Sequence, residues 1–227
     1  MVAVHTQIMP GLISTLVPWT NAASYKSLML DTRRAFAFIV LSRDKGSGYV
    51  TLDKEGAPRM YYPVSEHDRG SLLDGLVAAI RIAAEAGAAQ IGCSIIPLGI
   101  RDLPAVPPAD LDESVRRRME ADRARAVDKF IAEVKAHGIT TDFRTGIFCA
   151  HQMGTCKMGV DKKKSVVRPT GETWGCTNLF VCDTSVFPTS SGVNPMVTVL
   201  GIADGIADHV LARAKELRGE APGAARL

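Results

Sequence analysis

The last third of the chain constrains its fold most. Residues 178–210 read NLFVCDTSVFPTSSGVNPMVTVLGIADGIADHV. An apolar run ends in an acid over 179–183, as a buried strand does, a turn-rich connector follows over 187–195, and an apolar-faced helix begins near Met196. Asn194 stands where an N-cap belongs, Pro195 takes the first helical position, and basic residues fall in the last turn. Strand, loop and helix N-terminus in that order form an arrangement that α/β proteins commonly turn toward a cofactor.

The preceding residues supply a strand-rich stretch and two more helices. Residues 26–64 read as strands: AFAFIVLSRD is β-branched and aromatic, Gly46-Ser47-Gly48 punctuates it, YVTLD follows, and KEGAP turns the chain into RMYYPV. That pattern predicts an antiparallel meander with a hairpin turn at Gly46-Ser47-Gly48. Ser65 and Asp68 have capping-box spacing, and Leu72, Leu73, Leu76, Ile80 and Ala83 or Ala84 recur at helical period, predicting a helix from residue 66 to Gly87. Prolines 97, 104, 107 and 108 mark residues 97–110 as a loop. From Asp112 to His137 the spacing of Val115, Met119, Ala126, Phe130, Ile131 and Val134 predicts another helix, stopped at Gly138. Its Arg116, Arg117, Arg118, Arg123 and Arg125 alternate with Glu113, Glu120, Asp122 and Asp128, which reads as a solvated face.

At 227 residues, 46% hydrophobic and 22% charged, the chain is long enough for one large or two small cores. A net charge of +3, with bases and acids interleaved, gives no electrostatic footprint for nucleic acid. The opening MVAVHTQIMPGLISTLVPW has neither the basic start nor the uninterrupted apolar core of a secretory signal. AFAFIVL and MVTVLGIA fall short of the roughly 20 apolar residues that a membrane span needs. Five cysteines at irregular spacing argue against a disulfide framework and for a reducing, intracellular compartment. Leu12, Ile13, Leu16, Val17 and Trp19 read as core, with the lining of an apolar channel as the alternative.

The segment HQMGTCKMG (151–159), taken with residues 178–210, closely resembles the C-terminal signature of the glucose-methanol-choline (GMC) flavoprotein oxidoreductases. Within that family, residues 17–50 (VPWTNAASYKSLMLDTRRAFAFIVLSRDKGSGYV) and 65–88 (SEHDRGSLLDGLVAAIRIAAEAGA) are most similar to the long-chain (fatty) alcohol oxidases. The resemblance implies an α/β (α+β) fold, in which an antiparallel substrate-domain sheet with helices is joined by the C-terminal strand-loop-helix of a Rossmann-like FAD domain. It places the substrate-binding (cap) region over 1–145, the segment completing the FAD domain and active site over 146–218, and a tail over 219–227.

The implied cofactor is FAD and the implied reaction oxidation of a primary alcohol, long-chain by branch, to an aldehyde, with O2 as acceptor giving H2O2. By the same resemblance His151 is the base that takes the hydroxyl proton. Imidazole, with a pKa of about 6.5, suits that task, and an alkoxide is a far better hydride donor than an alcohol. Asn194 falls at a second active-site position, where its amide can donate to the substrate oxygen; a plain N-cap is its other reading. Asp183, Thr184, Asn194, Pro195, Met196 and Thr198 match family stretches that lie along the flavin. Cys149, His151, Cys156, Cys176 and Cys182 could supply zinc ligands on paper, but lack the paired spacing of a structural site, so no metal is expected.

No G-x-G-x-x-G occurs in this sequence, and Gly46-Ser47-Gly48 lacks the third glycine. An N-terminal FAD-binding segment or subunit is therefore an expected partner. Two alternatives stay open at this point: a dehydrogenase using an acceptor other than oxygen, and a truncated, non-catalytic fragment or subunit. Some fatty alcohol oxidases associate with membranes, so peripheral association is an expectation of the resemblance, without a transmembrane segment.

Overall fold

A computed structural model describes the backbone of residues 2–5 and all of residues 19–220. Leu12, Ile13, Leu16 and Val17, most of the opening stretch, and residues 221–227 of the expected tail lie outside the described residues. The chain forms helices and small antiparallel sheets, and it divides into two compact units: Met1–Ser42 with Val64–Phe148, and Arg43–Pro63 with Cys149–Leu227.

In the first unit β1 (Val2–His5) pairs antiparallel with β2 (Ala37–Val40), Val2 opposite Val40. Between them lies α1 (Ala22–Asp31), where strands were expected from residue 26. Asn21 starts it, its side chain accepting from the Ser24 N–H at 2.9 Å. The expected helix from residue 66 is α2 (Glu66–Glu85), with Ser65 Oγ accepting from the Asp68 N–H at 3.1 Å. β5 (Gln90–Gly92) then pairs with β6 (Ile100–Asp102), a short ladder within what reads as a proline-rich loop. The second expected helix is α3 (Glu113–His137), whose Asp112 side chain caps Ser114 and Val115, and Gly138 ends it at φ 69°.

The core of this unit gathers Ile80 and Ala84 of α2, Ile91 and Leu103 beside the short ladder, Ile95, and Val127, Phe130, Ile131 and Val134 of α3. Arg123 corrects the solvated-face reading of the arginine set, because it is only 9% exposed. Its guanidinium donates to the carbonyls of Pro104, Ala84 and Ala88 at 2.6, 2.8 and 2.8 Å. The planar fork thus ties the C-terminal end of α2, at Ala84, to the segments that carry Ala88 and Pro104. Trp19, expected in the core, is 66% exposed.

The second unit opens with β3 (Tyr49–Leu52) and β4 (Pro58–Tyr61), an antiparallel hairpin with Tyr49 opposite Tyr61. Its turn is built at KEGAP, where Asp53 Oδ1 accepts from Glu55 and Ala57 and Gly56 adopts φ 81°. Gly46-Ser47-Gly48 is not that turn. Gly48 instead faces β4, where an added Cβ would sit 2.1 Å from the Tyr61 carbonyl oxygen. The meander is also not formed, since β2 pairs with β1 and β3 with β4 in separate sheets.

The 179–183 run makes no strand either. Phe180 meets Glu172 in a single bridge, and Val181 donates to Gly171 at 3.0 Å. Gly171 at φ 81° and Asn178 at φ 65° bend the neighbouring chain, so an extended ladder cannot propagate. The expected terminal helix does form as α4 (Met196–Leu217), with Lys215 in its last turn. Its Ile206 is buried with Val167, Val186 and Phe187.

Candidate active site

Every residue singled out for chemistry lies in the second unit, around that four-residue apolar cluster. Three backbone bonds lace the loop after His151 to the 3₁₀ turn Thr184–Val186: Gly154 N–H to Thr184 O at 3.2 Å, Cys156 N–H to Ser185 O at 2.8 Å, and Met158 N–H to Val186 O at 2.8 Å. Gly154 is needed here on two counts, its φ of 85° and an added Cβ only 3.3 Å from the Phe187 oxygen. Met153 and Met158 pack on the cluster, and Gln152 Nε2 donates to Cys149 O at 3.2 Å, folding the loop back beside His151. The imidazole is half-buried, with no hydrogen-bond partner among the described residues.

Asp183 caps the 3₁₀ turn, its Oδ1 accepting from the Ser185 N–H at 2.7 Å. Ser185, through its hydroxyl and its N–H, holds the Asp183 carboxyl below its ordinary range. The side chain is exposed; Thr184, beside it, is half-buried.

Asn194 is not the N-cap. Pro195, at φ −84° and ψ −3°, occupies the cap position, and no side chain bonds the first turn of α4. Asn194 lies one residue too early to reach those N–H groups, so its exposed amide is not consumed by the helix. Pro195 is buried, whereas Met196, Val197 and Leu200 are 68%, 76% and 63% exposed and Thr198 is exposed as well. Val199 and Ile202, on the other side of the helix, pack on the same cluster as Met153. One core therefore anchors the histidine loop, the Asp183 turn and the start of α4.

This donor set fits a flavin. Uncapped first-turn N–H groups suit an anionic ring, an exposed apolar helix face suits its plane, and an exposed carboxylate suits a polyol hydroxyl. Of the residues expected along it, Asp183, Asn194, Met196 and Thr198 are exposed, Thr184 is half-buried and Pro195 is buried. No group of three or more His, Cys, Asp or Glu among the described residues could hold a metal ion, and all five cysteines are free.

A surface depression of about 360 Å³ around Arg168, Trp174 and Arg213 includes none of these residues. Its arginines are already paired, with Glu172 at 3.7 Å and Glu216 at 2.8 Å. One feature of the site escapes sequence reading. The connector before Asn194 is gripped by the Arg43–Asp44 stretch, 147 residues away in the case of Arg43 and Ser190. Only Gly192, which adopts φ 65°, hints locally at an unusual constraint.

Comparison with known proteins places these features in context. A family model described as GMC oxidoreductase matches residues 44–203. The chain is 38% identical over 194 residues to the long-chain-alcohol oxidase FAO4A of Arabidopsis thaliana, covering 86% of this chain and 24% of that protein. It is 32% identical over 205 residues to long-chain-alcohol oxidase FAO4B of the same plant, covering 89% and 25%. A 2-methyl-1,2-propanediol dehydrogenase of Mycolicibacterium austroafricanum is 26% identical over 132 residues, covering 56% and 24%. Among solved structures, pyridoxine 4-oxidase from Mesorbium loti aligns with a TM-score of 0.44 at 21% identity, covering 76% of this chain and 28% of that one. The chain thus spans about a quarter of the length of the curated relatives it matches. No helix among the described residues is long and apolar enough to cross a membrane.

Proposed function

The chain belongs to the GMC oxidoreductases, and on that premise we propose that it forms the active-site part of an FAD-dependent oxidase turning long-chain primary alcohols into aldehydes, with O2 as acceptor and H2O2 as product. The observation that carries this reading is the common anchoring of the His151 loop and the α4 start on one apolar cluster. The long-chain-alcohol oxidases among its relatives support the substrate class.

Held by Asp183, Thr184, Asn194, Pro195, Met196 and Thr198, a bound FAD would supply the hydride acceptor for the carbinol carbon. His151 takes the hydroxyl proton at a ring nitrogen, which raises the alkoxide character of the substrate oxygen and its power to expel hydride. The Asn194 amide donates a hydrogen bond to that oxygen as its negative charge grows. Asp183 and the first turn of α4 orient the cofactor. Residues 1–145 supply the substrate side, and residues 146–218 the catalytic segment.

The exposed apolar face of α4 calls for cover, and an N-terminal flavin-binding segment or subunit is the partner we assign to it. Two observations favour second readings. The dehydrogenase among the relatives keeps an acceptor other than oxygen in play, and the quarter-length span keeps a non-catalytic subunit in play. Supplying the flavin-bound protein with primary alcohols of graded chain length and measuring peroxide tests all three. Peroxide rising with chain length supports the oxidase. Turnover only with an artificial dye under anaerobic conditions assigns a dehydrogenase, and no turnover with either acceptor assigns the subunit role.

A further inference from the structure

Resting on the reading of Asn194 as the group that meets the substrate oxygen, we propose that Arg43 and Asp44 are positioning residues that fix the connector carrying Asn194. This connector, residues 188–195, has no regular structure between the 3₁₀ turn and α4. Its ends are secured by the buried Phe187 and Pro195, yet Asn194 itself is exposed. An amide that must meet a developing charge needs tighter control than an exposed loop provides, since misplacement by about 1 Å costs roughly a hundredfold in rate.

The control comes from the residues leading into the hairpin. Arg43 Nε donates to Ser190 O at 3.2 Å, and the Asp44 N–H donates to Ser190 Oγ at 3.3 Å, so one serine is held at two atoms. Asp44 is in turn fixed by Tyr62, whose hydroxyl donates to Asp44 Oδ2 at 2.6 Å. Two residues on from Ser190, Gly192 lies under the stem of Arg43. An added Cβ there would sit 2.7 Å from Arg43 Cβ and 3.0 Å from its Cγ, and the φ of 65° already favours glycine. Ser191 Oγ closes the bend on Val193 O at 2.6 Å, immediately before Asn194. The bonds and the close approach converge on residues 190–192, leaving only Val193 between the clamp and the working amide.

The test has a structural readout and a kinetic one. In the chain itself, Arg43→Ala should speed hydrogen exchange of the Asp44 amide, the backbone donor of the clamp, by about tenfold or more, leaving the core of α4 and the 154–158 ladder as protected as before. Arg43→Lys keeps the stem but loses the planar Nε donor, and should fall between. In the flavin-loaded enzyme, Arg43→Ala should lower kcat by about ten- to a hundredfold with KM little changed, and add nothing to an Asn194→Ala background. Unchanged exchange at the Asp44 amide, exchange accelerated throughout the second unit, or kinetic losses that multiply in the double variant would each overturn the positioning role. If Asn194→Ala alone retains full kcat, the reading of Asn194 fails and the positioning role with it, and that result is distinct from a failure of the clamp.

Discussion

At the scale of single residues, the site separates groups that hold structure from groups left free to react. Asp183 belongs to the first group through its cap on Ser185, yet its side chain is exposed. Its lowered carboxyl pKa means that it adds stability above the ordinary carboxylate value of 3.8 and loses that contribution as pH falls through the lower folded value. Asp183→Asn keeps an acceptor oxygen but cannot titrate. In urea titrations it should differ from the natural chain by a constant amount near neutral pH, and the difference should shrink below about pH 3.8; a difference unchanged down to about pH 3 would contradict the cap's ionic character. The sequence pointed to His151 and Asn194 through motif, but not to how either is presented. A helix start one residue later than expected is what leaves the Asn194 amide unspent.

At the scale of elements, helices were legible where capping and periodicity agreed, as at Ser65 and Asp112. Strands were not, because an apolar run specifies a strand only if a partner can run alongside it. LFVCD has its neighbour bent at Gly171 and Asn178, and AFAFIVL finds its partner at Val2–His5 rather than in the adjacent hairpin. Arg123 was hidden for a related reason, since charge alternation along a helix cannot show which arginine faces the end of another helix. Arg123→Ala should destabilise the first unit by roughly 3 kcal/mol, because it removes three charge-assisted hydrogen bonds made by a buried side chain. Arg117→Ala, exposed and paired only with Glu113 in a neighbouring turn, should cost under about 0.5 kcal/mol. Chemical denaturation of the two variants separates them, and equal costs would refute the role given to Arg123. Gly171→Ala should weaken the second unit by about 1–3 kcal/mol, as its Cβ would sit 2.7 Å from Ile206 Cγ2 at a φ of 81°.

At the scale of the whole molecule, the candidate constellation stands beside exposed apolar surface. Met196, Val197, Leu200, Leu211 and Leu217 of α4 are all more than half exposed, as are Tyr49, Leu52, Met60 and Tyr61 of the hairpin. Such apolar surface suits the partner proposed above, a flavin-binding segment or subunit. The grouping of the hairpin with the C-terminal segment, through contacts such as Arg43 with Ser190, is a long-range association that no local pattern announces. The central claim is that His151 is the base for alcohol oxidation. It is tested most directly by the anaerobic rate at which a long-chain primary alcohol bleaches the bound flavin, in the natural protein and in His151→Ala. The account predicts rapid bleaching in the first and a loss of about a hundred- to ten-thousandfold in the second at unchanged flavin content. Equal rates in the two would contradict it.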